Sequence, residues 1–249
     1  MLIFVLLGCL SPGRVKGMAS EMTHGIVILI SDDAEWRIVR SRYRQSCSIS
    51  PWGEFFQTAI GEDRHVIFFH GGWGKVAAAG SAQYCIDRWK PRVLVNLGTC
   101  GGFKGDVARY EIILADRTVI YDIREAMSDP QQAIADYSTS IDLAWLGTGF
   151  PARVKKTLLV SADRDIVPSE ITELKEKYHA VAGDWESGAI AYTCARNKQR
   201  LLILRGVSDL VGTAGGGEAY GNPQVYEDGT KVVMNRLLDQ LPLWLERCH

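Results

Sequence analysis

Four short runs of nearly unbroken aliphatic residues constrain this chain more than any other feature: residues 25–30 (GIVILI), 92–96 (RVLVN), 157–161 (TLLVS) and 201–207 (LLILRGV). A strand that alternates apolar and polar side chains can leave one face in water. A continuous apolar run cannot, so each of these must be covered on both faces. Helical spacing fills the gaps between them, at 34–44, 75–89, 169–178, 186–197 and 230–246. Strands buried on both sides and separated by helices predict one α/β domain with a central mixed, mostly parallel, twisted sheet flanked by helices. Further strands are expected at 55–60 and 65–70, joined by a polar turn at 61–63, and at 111–116, 118–121 and 180–183. Glycine-rich turns are expected at 71–74 and 98–102 and a glycine-rich loop at 212–223, while residues 123–152 read as irregular.

Apolar residues make up 47% of the 249 positions and charged residues 23%, enough core for such a domain without a disulfide or metal staple. The formal net charge of −1, with basic residues scattered along the chain, excludes a basic surface for nucleic acid. Six cysteines fall at 9, 47, 85, 100, 194 and 248, with no CxxC pair and no histidine at zinc spacing. They read as reduced, buried thiols in a cytoplasmic protein, Cys100 among them as a packing residue. The apolar run at 2–10 lacks a basic leader and is too short to span a bilayer. Residues 1–17 are therefore expected to be an extension outside the fold, with the domain at 18–249.

In such sheets ligands gather at the carboxyl ends of the strands, here after residues 30, 96, 161, 183 and 207. Chemistry-bearing residues cluster there. Gly98, Gly101 and Gly102 let backbone N–H groups approach a ligand, and Thr99 adds a hydroxyl, although a plain tight turn explains them equally well. Asp209, preceded by Ser208, stands at the mouth of a buried strand, where desolvation raises a carboxyl pKa; a helix cap is the other reading. Glu186, in GDWESG, can accept two hydrogen bonds at once, as vicinal hydroxyls require, or serve as a first-turn helix acid. Glu35, taken alone, reads as a solvated helix residue, and Trp185 as core. Lys75 and Arg205 read as structural, because no phosphate-binding loop surrounds them.

Taken in order, GWGKVAA at 72–78, NLGTCGG at 96–102, DWES at 184–187 and Ser208-Asp209 resemble the nucleoside phosphorylase and nucleosidase superfamily. Within it they are nearest the methylthioadenosine/S-adenosylhomocysteine nucleosidases, and the likeness extends over about residues 25–245. The resemblance implies hydrolysis of the N-glycosidic bond of a purine nucleoside such as a 5′-substituted adenosine. Phosphorylases of the superfamily carry arginines where Asn96 and Glu35 fall, to hold phosphate. A neutral amide and a carboxylate point to water instead, with Glu35 as base, Glu186 on the ribose hydroxyls and Asp209 protonating the leaving purine. Asp184 assists Glu186, Ser208 orients Asp209, Trp185 packs on sugar or base, and the backbone near Ile166 reads the purine edge. Trp73, Tyr220 and Tyr226 are expected walls of the 5′ pocket.

This chain departs from the family pattern at Ser31-Asp32-Asp33, where a small apolar turn with methionine is usual. It departs again at Asp163-Arg164-Asp165, where an aromatic residue is usual, and at Trp185, in place of a methionine. A phosphorylase with an unusual phosphate site and a non-catalytic nucleoside-binding protein remain alternatives. No cofactor, metal, nucleic acid or membrane is implied, and a homodimer is the family expectation.

Overall fold

A computed structural model of the chain describes residues 25–61 and 64–248. The predicted extension at 1–17 and the predicted start of the domain at 18 lie outside the described residues. The first strand, β1 (Ile26–Ile30), is buried at every position. It lies between β4 (Arg64–His70) and β5 (Val93–Phe103), parallel to both. The antiparallel strands β3 (Gly53–Ile60) and β2 (Ser48–Ser50) extend that edge.

On the other side of β5 the sheet closes on itself. Strand β10 (Leu201–Gly212) runs parallel to β5, and β6 (Ile112–Ile120) runs antiparallel to β10. Next, β8 (Lys155–Ser161) is parallel to β6, and β9 (Ala182–Asp184) is parallel to β8. Strand β9 then pairs antiparallel with β5, so five strands form a ring. Short β7 (Ser138–Ser140) pairs with β6 outside this ring, and β11 (Gly216–Gly217) pairs with the end of β10. The sheet is mixed, as the sequence implies.

Alternation along β1 shows why its run is apolar throughout. Ile28 and Ile30 join one core cluster with Trp36 and Val39 of α1 (Asp33–Tyr43) and with Val233, Leu237 and Trp244 of α6 (Pro223–Leu245). Val27 and Leu29 join the opposite cluster, with Ala82 and Cys85 of α2 (Lys75–Trp89) and Ile190 and Cys194 of α5 (Ser187–Arg196). A third cluster lies under α4 (Ile171–Tyr178). Five cysteines, 47, 85, 100, 194 and 248, are free, and four of them are buried. Among the described residues no helix is long and apolar enough to cross a membrane.

Several boundaries differ from expectation. Residues 98–102 are not a turn: β5 continues through them to Phe103, paired with β10 along their length. Strand β10 likewise runs to Gly212, with Ser208 as an extra residue between the Val207–Cys100 and Asp209–Gly101 pairs. The expected strands at 111–116 and 118–121 are one strand, β6, whose register with β8 shifts between Ala115 and Arg117. Helix α6 begins at Pro223, inside the expected loop, because proline suits a first helical position. The irregular segment contains α3 (Pro130–Asp136), β7 and one 3-10 turn at Ala144–Leu146.

Candidate active site

Helix α1 opens with a reciprocal cap. Asp32 Oδ1 accepts from Ala34 N at 2.7 Å, and Glu35 Oε2 accepts from Asp32 N at 3.3 Å. That cap turns Glu35 inward, and at 1% exposure it is not the solvated helix acid its surroundings in sequence suggest. Its other oxygen, Oε1, accepts from Thr99 N at 2.6 Å and from Thr99 Oγ1 at 2.8 Å. Burial pushes the Glu35 carboxyl up to about 7, against the opposing pull of Arg205, with Asp32 adding to the rise.

Arg205, read from the sequence as structural, is the cation around which the acids are arranged. It is 1% exposed on β10. Its Nε lies 2.9 Å from Asp184 Oδ2 and its Nη2 3.4 Å from Glu186 Oε2, while Nη1 lies 3.8 Å from Glu35 Oε1. The single Nε hydrogen is shared with Ser187 Oγ at 3.0 Å, while Nη2 donates to Asn96 Oδ1 and Nη1 to the Thr99 carbonyl. Burial works against its charge, but Asp184, Glu186 and Glu35 outweigh it and keep the guanidinium protonated. Asn96 spans Arg205 and the Leu29 carbonyl, to which its Nδ2 donates at 3.0 Å. The fork of an arginine matches several carboxylates at once, which a lysine could not do. The lone arginine inside LLILRGV gave no sign in the sequence of the three acids it gathers.

A side chain at position 98 would collide with this cluster. A Cβ there would stand 2.2 Å from Arg205 Nη1 and 2.7 Å from Glu35 Oε1, so only glycine lets the ion cluster lie flat on β5. Glu186 is the N-cap of α5, and its Oε1 accepts from Gly74 N at 3.0 Å, tying the α2 turn to the cluster. Burial raises its pKa, Arg205 offsets part of the rise, and Asp184 and Glu35 add to it. Asp184 is fully engaged by Arg205, Ser161 and Ser187, so it braces the cluster from below. The bulge at Ser208 re-aims the end of β10 and brings Asp209 to the cavity. Ser208 Oγ lies 2.7 Å from Asp209 Oδ1. Burial raises the Asp209 carboxyl, opposed by that hydrogen bond, with Glu218 raising it further.

These side chains line one cavity of about 550 Å³. Glu35, Thr99, Gly101, Ile166, Asp184, Trp185, Glu186, Ser208 and Asp209 are all on its wall, and so are Trp73, Tyr220 and Tyr226. Trp73 is 59% exposed at the rim, its ring edge against Trp185 at 5.3 Å between centroids. Cys100, buried, lines the cavity, and burial holds its thiol well above the ordinary range. Tyr121, which carries no motif in the sequence, is a further wall residue. It sits beneath Arg164, whose guanidinium lies 5.2 Å over its ring and pairs with Glu170. Asp165 also faces the cavity. The Tyr220 hydroxyl donates to the Ile166 carbonyl. Lys75 lies outside the cavity and pairs with Asp122 and Asp163. Among the described residues no group of three or more His, Cys, Asp or Glu side chains is placed to hold a metal ion.

The cavity thus offers a buried carboxyl with a pKa near neutrality, a second carboxyl able to grip paired hydroxyls, and a third able to carry a proton. Such a set of carboxyls is chemically able to take up and release protons. Comparisons with known proteins agree with the motifs. The chain is 27% identical over 222 residues to the 5′-methylthioadenosine/S-adenosylhomocysteine nucleosidase of Tolumonas auensis, covering 83% of this chain and 92% of that protein. The structure of the corresponding nucleosidase of Colwellia psychrerythraea, in complex with adenine, superposes with a TM-score of 0.73 at 19% identity, over 91% of this chain and 96% of that one. Futalosine hydrolase of Helicobacter pylori gives a TM-score of 0.73 at 16% identity, over 91% and 99% of the two chains. Residues 26–236, nearly the whole of the described fold, match the phosphorylase superfamily, and to that family this chain belongs.

Proposed function

We propose that the protein hydrolyses the N-glycosidic bond of a purine nucleoside, a 5′-substituted adenosine being the substrate that its motifs and named relatives favour. The carrying observation is Glu35, a carboxyl buried against Thr99 with a pKa near neutrality, at the place where a phosphate-using relative needs a cation. Arg205 does not substitute for that cation, because Asp184, Glu186 and Glu35 already surround it. The arginine that does line the cavity, Arg164, is paired with Glu170.

Glu35 takes a proton from water as the water attacks C1′. A base titrating near 7 is effective near neutral pH, being ionised in about half of the molecules there and basic enough to accept a proton. Two ribose hydroxyls donating to Glu186 favour its charged form, and that charge then faces the cation developing at C1′. Asp209, whose pKa burial raises, supplies a proton or a strong hydrogen bond to the purine, so that the base departs neutral. Trp185 packs on the sugar or base, and Trp73, Tyr220 and Tyr226, all on the cavity wall, form the 5′ side. A homodimer and a cytoplasmic location belong to the same reading.

The test is a panel of purine nucleosides, with and without 5′ substituents, incubated in the presence and absence of phosphate and resolved by chromatography. Free base and free reducing sugar formed without phosphate are expected. Turnover that requires phosphate and yields a sugar 1-phosphate overturns the proposal, and binding without turnover across the panel would leave a nucleoside-binding protein.

A further inference from the structure

One polar group at the Glu35 end of the cavity, the Tyr226 hydroxyl, enters the reading above only as part of a wall. Helix α6 lies so close to β10 that a Cβ on Gly229 would stand 2.2 Å from the Ser208 carbonyl. This approach brings the first turn of α6 over the cavity, and Tyr226 on that turn joins its wall. Along the same face follow Thr230, Val233, Met234 and Leu237, all buried, so Tyr226 is the last residue of the helix's inner stripe and the only one of these that reaches the cavity.

The Tyr226 hydroxyl lies 3.4 Å from Thr99 Oγ1. Thr99 has one hydroxyl hydrogen and gives it to Glu35 Oε1 at 2.8 Å. An ionised carboxylate can only accept, so the order of donors is fixed: Tyr226 O–H donates to Thr99 Oγ1, and Thr99 O–H donates to Glu35. Thr230 Oγ1, one turn along and buried, is the phenol's other hydroxyl neighbour. Hydrogen bonds in series polarise one another inside a protein. Burial raises the Tyr226 phenol, with Glu35 and Asp32 adding to the rise, so it stays a donor.

We infer that Tyr226 is a positioning residue: acting through Thr99, its hydroxyl holds the Glu35 carboxyl in the orientation and charge state that accept a proton from water. The groups facing Glu35 are Arg205 from β10, Thr99 from β5, Asp32 from its own cap and Tyr226 from α6, with Glu186 beyond the guanidinium. Of these, Tyr226 is the one that α6 contributes. Loss of its hydroxyl weakens the donor chain to the carboxylate, so Glu35 should hold its proton to a higher pH.

The inference rests on the proposed hydrolysis only for its kinetic readout. The direct test is an infrared titration of the Glu35 carboxyl stretch in protein labelled with carbon-13 glutamate, assigned by its absence in Glu35→Gln. In Tyr226→Phe the protonation midpoint should rise by about half a unit to one unit, the effect of one lost hydrogen bond. Replacing Tyr226 with 3-fluorotyrosine, a stronger donor of nearly equal size, should lower the midpoint instead. With an active substrate, the acid limb of kcat/KM should move with the midpoint, and kcat should fall roughly tenfold while KM stays within about twofold. A midpoint equal to that of the unmodified protein in either folded variant overturns the inference, as do shifts of the same sign in both. If no nucleoside is cleaved by the unmodified protein, the hydrolytic reading fails, and the infrared titration still decides the role of Tyr226.

Discussion

Glu35 divides its two oxygens between architecture and the cavity, one closing the cap of α1 and the other facing Thr99. Its folded pKa of about 7 stands above the ordinary value of 4.5, so the folded state holds this proton more tightly than the unfolded chain does. Stability tied to Glu35 is therefore complete below about pH 4.5 and is lost as the pH rises through about 7. Glutamine mimics the protonated form. Glu35→Gln should be more stable than the parent by on the order of 1–3 kcal/mol at about pH 8.5 and unchanged at about pH 4, as thermal denaturation at the two pH values would show. The same variant should lose at least ~10²-fold in hydrolysis. A gain in stability with a loss of activity is the mark of a strained functional group. Asp209→Asn should lower kcat by roughly 10²–10³-fold on adenosine-type substrates. The loss should shrink for nucleosides whose base leaves readily without a proton, which steady-state kinetics on a leaving-group series would measure.

At the scale of elements, Arg205 joins β10 to Asp184 at the end of β9, to the cap of α5 and to the first turn of α1. Arg205→Met should cost about 3–5 kcal/mol in urea unfolding, because three buried acids lose their shared cation. Gly98→Ala should destabilise by about 1–3 kcal/mol and depress activity together, since its methyl group would displace Glu35 from Thr99. The core strands were legible in the sequence because burial on both faces leaves a pattern that needs no partner to read: GIVILI and LLILRGV could only be interior strands. Asp209, Glu186 and Glu35 were legible through motif order, since alone each passed for a cap or a surface acid. The glycine run at 98–102 was misread as a turn because β10 carries the paired strand onward from more than a hundred residues away in sequence. The neighbours of Tyr226 and Arg205 were hidden for a related reason. Their significance lies in what stands beside them, and a single sequence does not show which residues stand beside one another.

For the whole molecule, the ring formed by β5, β10, β6, β8 and β9 is the frame on which the cavity is built. The chain leaves this frame after β6 and returns at β8, and on the way it touches the frame's edge through β7, paired on the outer side of β6. About six Gly-Ser residues inserted between Thr148 and Gly149 should leave kcat and KM unchanged and cost less than about 1 kcal/mol in thermal unfolding. The same insertion at Gly215–Gly216, beside Ala219 and Tyr220 on the cavity wall, should raise KM. Chain length is thus expected to be free to drift between β6 and β8, while the paired strands of the closed circuit hold theirs. Lengthening any strand of that circuit would have to be answered in step by both of its neighbours. A descendant of this protein could acquire a new outer surface between β6 and β8 and still inherit the chemistry intact.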